Sequence, residues 1–277
     1  MTQPLLAHQT SAGRMYSRSP EEPPKVPSIT TIISQEDKDL GGWHAYMATQ
    51  ALIKDERLAT ADLNMRRRIA RESVSASETY RDAAATRGDR VHYYCEQYSK
   101  KILGLDNDLE AALEDLQKRG EQGFVQQFEQ WFSMYKVEPV MTEVTVWNAS
   151  LGYAGTLDLI ARINGRLCIV DYKTKSVDRS GKIKPLSTDV VMQLAAGAQA
   201  EEYYEEEDGQ WYDWPFAEEP LLIALGLANT DHKPVMVNSE ALRPYWLKFW
   251  SLKQVWEANR VTKKIANPLQ QLPVPPQ

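Results

Sequence analysis

Residues 28–135 carry apolar side chains at helical spacing. In this segment the apolar positions recur every three or four residues, as they do on the buried face of a helix. Examples from two parts of the segment are Trp43, Tyr46, Met47, Ala51 and Leu52, then Val91, Tyr94, Cys95, Tyr98 and Ile102. The pattern predicts a mainly helical region over residues 28–135.

Residues 136–267 follow a different period. Apolar and polar positions alternate over Val140–Trp147, as in a half-buried strand. Two more strands are predicted at Tyr153–Ile163 and Arg166–Thr174, because Asn164-Gly165 between apolar runs is a strong signal for a two-residue hairpin turn. The later elements predicted from the pattern are a helix from Ser187 or Thr188 to about Glu206, strands at Leu221–Leu227 and Val235–Val237, and a helix from Ser239 to about Ile265.

Both ends of the chain are rich in proline. Residues 1–27 contain five prolines and residues 268–277 contain four, with little periodic apolar pattern, so both are predicted to be flexible tails. Residues 28–267 are predicted to form a single domain, in which the helical region 28–135 precedes a core of sheet and helices, 136–267. This order of elements predicts a mixed α/β (α+β) fold.

Composition adds limits to this picture. The chain has 277 residues, of which 43% are apolar and 25% charged, as in an ordinary globular protein. Its longest apolar run is far shorter than a membrane span, and no signal region opens it, so we expect a cytoplasmic protein without a membrane partner. The two cysteines, Cys95 and Cys168, are too few for an iron–sulfur cluster.

The net charge of −6 does not exclude nucleic acid as a partner. Nine acidic residues and no lysine or arginine lie between positions 199 and 220, so the remaining chain carries a small excess of bases. Basic residues concentrate instead between 162 and 184 and between 243 and 264. The role of the acidic segment is left open by the sequence.

The register of the predicted hairpin brings two acids together. With Asn164 and Gly165 as the turn, Asp158 is opposite Asp171, and Lys173 lies on the same face. Opposed carboxylates about 5 Å apart repel one another. A divalent cation bound at about 2.1–2.5 Å would offset the repulsion, and Lys173 would help. The alternatives are that one aspartate is protonated, or that both turn into water.

The motifs around these acids resemble the PD-(D/E)XK nucleases of the RecB-like branch. The resemblance is carried by GTLD ending at Asp158 and IVDYKT containing Asp171 and Lys173, and by Gly88–Glu96, which is similar to the upstream G-x-x-x-H-x-x-x-E helix. Met192–Ala196 is similar to a helix motif with a glutamine, and Val26–Ile33 to the opening of phage-encoded members. The chain departs from the pattern at Gly197, where the family often has tyrosine.

The resemblance implies a restriction-endonuclease-like core, with a central mixed sheet flanked by helices. It also implies a catalytic set and a site for Mg²⁺ or Mn²⁺, with no iron–sulfur cluster. The implied catalytic residues are Asp158, Asp171, Lys173 and Gln193. The implied metal ligands are His92, Asp158, Asp171, the backbone carbonyl of Tyr172 and Glu143.

Basic residues near these motifs are candidates for contacts with DNA. A backbone phosphate requires only positive charge. The candidates are Lys175, Arg179, Lys182 and Lys184, which follow the hairpin, and Arg87 and Arg90, which flank the histidine motif.

The function implied is that of a metal-dependent DNA nuclease, an exonuclease of phage DNA recombination, replication or repair in the host cytoplasm. Its partners would be single- or double-stranded DNA and a recombination or single-strand-binding protein. Two alternatives stay open: a catalytically silent nuclease-fold protein that binds DNA or a recombination partner, and a structure-specific endonuclease.

Overall fold

The computed structural model describes residues 4–273, and its first elements form a small antiparallel sheet. The strands are β1 (Ala7–Thr10), β2 (Gly13–Tyr16) and β3 (Val26–Pro27), in that order. Leu6 and Tyr16 are buried against Trp147 and Tyr204 of the central sheet. The flexible tail predicted for residues 1–27 is therefore wrong where β1, β2 and β3 form, because the residues that bury these strands lie far along the chain. Residues 1–3 lie outside the described part.

The predicted helical region is confirmed. Its elements are α1 (Ile29–Ile33), α2 (Gly41–Lys54), a 3₁₀ turn (Glu56–Ala59), α3 (Leu63–Ser73), α4 (Ala76–Leu103), α5 (Leu109–Lys118) and α6 (Gln122–Met134). Helix α4 has 28 residues and is therefore about 42 Å long. Most of its buried residues lie in the second half, from Val91 to Ser99, where the helix packs on the sheet. Helix α2 has no buried residue and packs mainly on α3 and on α4.

A seven-stranded mixed sheet forms the centre of the fold. The remaining elements are β4 (Glu138–Asn148), β5 (Tyr153–Ile163), β6 (Arg166–Thr174), α7 (Asp189–Gly197), β7 (Glu202–Glu205), β8 (Gln210–Asp213), β9 (Leu221–Leu227), β10 (His232–Met236) and α8 (Ser239–Thr262). The strand order is β10-β9-β6-β5-β4-β7-β8, and β6 and β9 run parallel while the other neighbours are antiparallel. The predicted mixed α/β fold is confirmed.

Helices cover both faces of the sheet. On one face, α4, α5 and α6 pack over β5, β6 and β9 around Phe128, Trp131 and Tyr172. On the other face, α7 packs over β4, β5 and β6, and α1 and α8 extend that layer around Phe249. Among the described residues, no helix combines the length and apolar character needed to cross a membrane.

Some predicted boundaries are wrong. The helix expected to reach about Glu206 ends at Gly197, and the chain then forms the β7–β8 hairpin on the free edge of β4. The last helix begins after Asn238, whose side chain accepts a hydrogen bond from the Glu240 N–H at 3.1 Å, rather than after Ser239. Residues 263–273 are exposed, and residues 274–277 lie outside the described part, so the flexibility of 268–277 stays a prediction.

The acidic segment has a structural role. Its β7–β8 hairpin holds Arg18 of the N-terminal sheet, because Glu202 forms an ion pair with that guanidinium. The same guanidinium lies 4.3 Å from the ring centre of Trp147 and 4.6 Å from that of Trp211. The Trp211 indole also donates to the Arg18 carbonyl at 2.7 Å. The hairpin therefore fixes the N-terminal strands on the central sheet.

A close backbone approach at the start of α6 yields a stability prediction. A Cβ atom at Gly123 would lie 2.0 Å from the carbonyl oxygen of Asn229. We expect Gly123→Ala to lower the free energy of unfolding by about 1–3 kcal/mol, because the backbone must shift. The control is Gly42→Ala near the start of α2, where a Cβ meets no atom within 4 Å. Urea unfolding of both variants is the measurement, and equal midpoints would contradict the prediction.

Candidate metal and active site

The β5–β6 hairpin has the predicted turn. Asn164 and Gly165 have φ values of 52° and 76°, as a type I′ turn requires at both central positions. The register is also as predicted near the turn, with Ile163 paired to Arg166 and Ile160 to Ile169. The turn therefore determines which residues of β5 and β6 lie opposite one another along the paired part of the hairpin.

The two strands part where the aspartates lie. Their paired register ends at Leu159 and Val170. Beyond that pair, the backbone N–H of Tyr172 donates to Asp158 Oδ2 at 2.7 Å. Asp158 and Asp171 are therefore not opposed across a continuous ladder, which corrects the predicted geometry. The Asp158 side chain takes the place of a main-chain acceptor.

The alternation of β5 is interrupted at the same point. In a regular strand, Leu157, Leu159 and Ala161 would share one face of the sheet. In the structure Leu159 packs with the α4 layer, whereas Leu157 packs with the α7 layer together with Ile160. Leu157 therefore departs from period-2 alternation, which holds only while the strand is regular.

Glu143 on β4 adopts an unusual backbone conformation. Its φ is 51°, in the left-handed region that costs a residue with a side chain about 1–3 kcal/mol. Its neighbours Thr142 and Val144 pair with Leu159 and Leu157 of β5, on either side of Asp158. Both carboxylate oxygens of Glu143 are buried without a hydrogen-bond partner. Strained backbone and unpaired ligand atoms thus coincide beside Asp158.

Three side chains converge at this irregularity. One ligand atom each of His92, Glu143 and Asp158 lies within 4.8 Å of the other two. The His92 Nδ1 atom lies 3.6 Å from Asp158 Oδ2 and has no hydrogen-bond partner. The ring of His92 packs edge-on against Tyr172, with ring centres 5.7 Å apart. Buried polar atoms normally have hydrogen-bond partners, so these unpartnered nitrogen and oxygen atoms are suited to bind a metal ion. One imidazole and two carboxylates are ligands that divalent cations accept.

The surroundings shift the pKa values of Glu143 and Asp158 in opposite directions. Burial and the Asp158 carboxylate raise the pKa of Glu143 well above its ordinary value. Burial also acts to raise the pKa of Asp158, but His92, Lys173 and the Tyr172 N–H outweigh it, so the Asp158 pKa is lowered. Asp158 is therefore the ionised member of the pair. A bound cation would favour ionisation of both.

Asp171, Lys173 and Gln193 form a second group next to the first. Lys173 Nζ lies 2.6 Å from Asp171 Oδ2 and donates to Gln193 Oε1 at 3.1 Å. Burial and the Asp158 charge raise the pKa of Asp171 to about 6 although Lys173 opposes them. Burial lowers the pKa of Lys173, but the carboxylates of Asp171 and Asp158 outweigh it and the pKa is raised. Lys173 is thus a cation in this arrangement.

The other candidate metal ligands, Asp171 and the Tyr172 carbonyl, are not part of the group formed by His92, Glu143 and Asp158. Asp171 is adjacent to the group of His92, Glu143 and Asp158 but is paired with Lys173. The Tyr172 N–H is bonded to Asp158, and a ligand role for the Tyr172 carbonyl stays a prediction. The motif residue Glu96 is buried and forms an ion pair with Lys100 at 2.9 Å.

The basic residues predicted to contact DNA differ in whether their charges are already paired within the fold. Arg90 is bonded to both carboxylate oxygens of Glu121, at 2.7 and 2.9 Å, and so is committed to an ion pair within the fold. Arg179, Lys182 and Lys184 are exposed on the loop after β6. Lys175 lies between two cavities of about 210 and 310 Å³, the first of which also contacts Lys173 and Gln193.

Strand β2 lies beside the site and was not predicted from the sequence. The Tyr16 hydroxyl of β2 lies 2.8 Å from Thr156 Oγ1 on β5. Arg14 on the same strand opposes the effects of burial and Asp158 that raise the pKa of Glu143. Only the apolar run around Met15 and Tyr16 could have suggested a strand in the proline-rich segment.

Comparisons with known proteins add little to this geometry. No protein-family model and no curated protein matches the sequence. A solved structure from Eubacterium rectale, provisionally named an exonuclease, is 11% identical with a TM-score of 0.38, over 64% of this chain and 74% of its own. The structure of SSO0001 is 16% identical with a TM-score of 0.25, over 65% of this chain and 80% of its own. Similarity at this level carries no argument about function.

Proposed function

We propose that this protein is a divalent-metal-dependent DNA nuclease with a PD-(D/E)XK core. The observation that carries the proposal is the juxtaposition of two groups. The buried, unpartnered ligand atoms of His92 and Glu143 meet Asp158. Beside them, Lys173 forms an ion pair with Asp171 and donates a hydrogen bond to Gln193. A mixed nitrogen and oxygen ligand set next to a buried lysine suits phosphodiester hydrolysis.

The residues have distinct roles in this proposal. His92, Glu143 and Asp158 would hold Mg²⁺ or Mn²⁺, which would lower the pKa of a water molecule and offset charge on the scissile phosphate. Lys173 stabilises the developing negative charge and orients the attacking water, because its raised pKa keeps it protonated. Gln193 fixes the position of the Lys173 ammonium.

The surroundings provide a route for a polyanion. Lys175, Arg179, Lys182 and Lys184 lie on the loop that follows β6, and Lys175 lines the same cavity as Lys173, whose side chain is one-third exposed. Their charges suit sequence-independent contacts with backbone phosphates. The acidic hairpin β7–β8 forms the edge of the sheet beyond β4, and β5 and β4 separate it from β6. Net charge therefore says little about the surface that DNA would approach.

The finer assignment follows from the motifs. The resemblance to the RecB-like branch favours an exonuclease of phage DNA recombination, replication or repair. A recombination or single-strand-binding protein is the partner that this role would require. The site residues alone leave the choice between cleavage at ends and within strands to experiment.

The test compares linear and circular DNA. With Mg²⁺ or Mn²⁺ the full chain is expected to degrade end-labelled linear DNA and to leave covalently closed circles intact, and EDTA is expected to abolish the activity. Cleavage of circular DNA at the same rate as linear DNA would show that the protein is an endonuclease and not an exonuclease. Binding without cleavage under all metal conditions would contradict the nuclease and favour a silent DNA-binding protein.

A further inference from the structure

A cavity beside the proposed active site is lined by unpaired cations. It has a volume of about 310 Å³ and lies between α4, the start of α6, the end of β6 and the loop after β9. The lining residues used below are Arg87, Glu121, Phe124, Lys175, Ser176 and Asn229. Among these lining residues Glu121 is acidic, and its carboxylate is already paired with Arg90.

Arg87 has a guanidinium available for an anion. Its Nε atom is buried and has no hydrogen-bond partner. The guanidinium carbon lies 5.9 Å from the ring centre of Phe124, which supports the side chain from one side. In the part of the chain that the structure describes, no carboxylate forms an ion pair with Arg87. An unpaired, partly buried arginine suits a phosphate group, which accepts its fork of donors.

Lys175 supplies a second charge to the same cavity. Among the described residues, it too forms no ion pair with a carboxylate. Burial and the neighbouring Lys173 lower the pKa of Lys175, so its charged form gains from a nearby anion. The start of α6 faces the cavity as well, and helix N-termini favour negative charge.

The cavity lies next to the proposed active site, because Lys175 also lines the cavity that contacts Lys173 and Gln193. Arg87 lies five residues before His92 on α4, about 7.5 Å along the helix axis. Lys175 lies two residues after Lys173, about 6.6 Å along the strand direction. A Cβ at Gly88 would lie 3.3 Å from Thr174 Oγ1, so α4 and β6 are in close contact between the two places. These offsets are comparable to the distance between neighbouring phosphates of an extended strand.

We propose that the cavity between Arg87 and Lys175 is a phosphate-binding subsite that holds a phosphate of the strand next to the scissile one. The identity of the strand as DNA rests on the proposed function. The shared chemistry is a phosphate, which an internal phosphodiester or a terminal phosphate of the same strand can supply. The subsite would position the strand so that one phosphate lies beside Lys173.

The experiment measures affinity without cleavage. Fluorescence anisotropy of labelled 20-nucleotide strands, in EDTA and over a range of salt, compares the full chain with Arg87→Gln and Lys175→Gln. Each variant is expected to bind about tenfold more weakly and to reduce the slope of log affinity against log salt by about one. The double variant is expected to lose less than the product of both effects, because the two side chains share one phosphate. Arg87→Lys keeps the charge and is expected to retain the salt slope.

The control is Arg81→Gln, an exposed arginine on the same helix that is paired with Asp82. It is expected to bind within twofold of the parent. Strands with a 5′-phosphate, a 3′-phosphate or hydroxyls at both ends separate the sources of the phosphate. A variant effect confined to one phosphorylated end supports a terminal phosphate, and an equal effect on all strands supports an internal one.

The outcomes separate the two proposals. If Arg87→Gln and Lys175→Gln, folded by circular dichroism, bind every strand as tightly as the parent, the subsite is contradicted while the nuclease stands. If the parent binds and the variants do not, but no metal supports cleavage, the subsite stands and the nuclease is contradicted. A parent chain that binds no DNA contradicts both.

Discussion

Asp171→Ala and Lys173→Ala are each expected to cleave linear DNA about 10³-fold more slowly than the parent chain with saturating Mg²⁺. Lys173 Nζ lies 2.6 Å from Asp171 Oδ2 and donates to Gln193. Removing the lysine takes away the charge that would stabilise the transition state. Removing the aspartate takes away one of the two groups that position the ammonium. Single-turnover rates on end-labelled linear DNA are the measurement.

Both variants are expected to remain folded. The pKa of Asp171 is already about 6, since burial and Asp158 raise it against the effect of Lys173. Without Lys173 the carboxyl can therefore take up a proton instead of remaining a buried, unpaired charge. The control Asp82→Ala removes a carboxylate that is 70% exposed on α4, and it should cut at the parental rate. If the two variants also cut at the parental rate, the proposed catalytic group is wrong.

Glu143→Gln is expected to separate metal binding from folding. Both Glu143 oxygens are buried without hydrogen-bond partners and lie beside Asp158 and His92. In the parent, Mn²⁺ at 100 times its dissociation constant should stabilise the fold by about 2.7 kcal/mol. The variant lacks one carboxylate ligand, so most of this gain should disappear. Thermal unfolding with and without Mn²⁺ is the measurement, and an equal gain in both chains would contradict a ligand role for Glu143.

The same variant should change how metal-free stability depends on pH. Folding raises the pKa of Glu143 above its ordinary value of 4.5, mainly through burial and Asp158. The folded state therefore holds this proton more tightly than the unfolded chain does. The Glu143 contribution to stability then falls as the pH rises above 4.5. In EDTA, the melting temperature of the parent should fall relative to that of Glu143→Gln between about pH 5 and pH 8.

The matched control is Glu138→Gln, an exposed glutamate at the start of the same strand. Its metal response and its pH dependence should equal those of the parent. If Glu138→Gln and Glu143→Gln behave alike, the difference in burial between the two side chains has no consequence for metal binding.

The sequence placed the core elements because their signals are local. Strands β5, β6 and β9 have the predicted bounds, and Asn164-Gly165 fixed the register of the hairpin near its turn. The signals at element ends were weaker. After Gly197 the chain leaves the helix for the sheet edge, where Tyr203 pairs with Val146 of β4. Pairing with a distant strand outweighed local helix propensity there.

The sequence alone predicted the bounds of β5, β6 and β9, the hairpin turn and the spacing of the motifs that contain His92, Asp158 and Lys173. Each of these depends on backbone preference or periodicity over a few residues. The separation of β5 and β6 at Asp158 is visible only in the folded chain. The same holds for His92 and Glu143, which come from two other elements and meet there with their ligand atoms unpaired. The same structure shows that the proline-rich N-terminal segment forms β1, β2 and β3, with Tyr16 of β2 beside Thr156. Contacts between residues so far apart in the chain leave no local pattern, because they exist only after the sheet and its helices have come together.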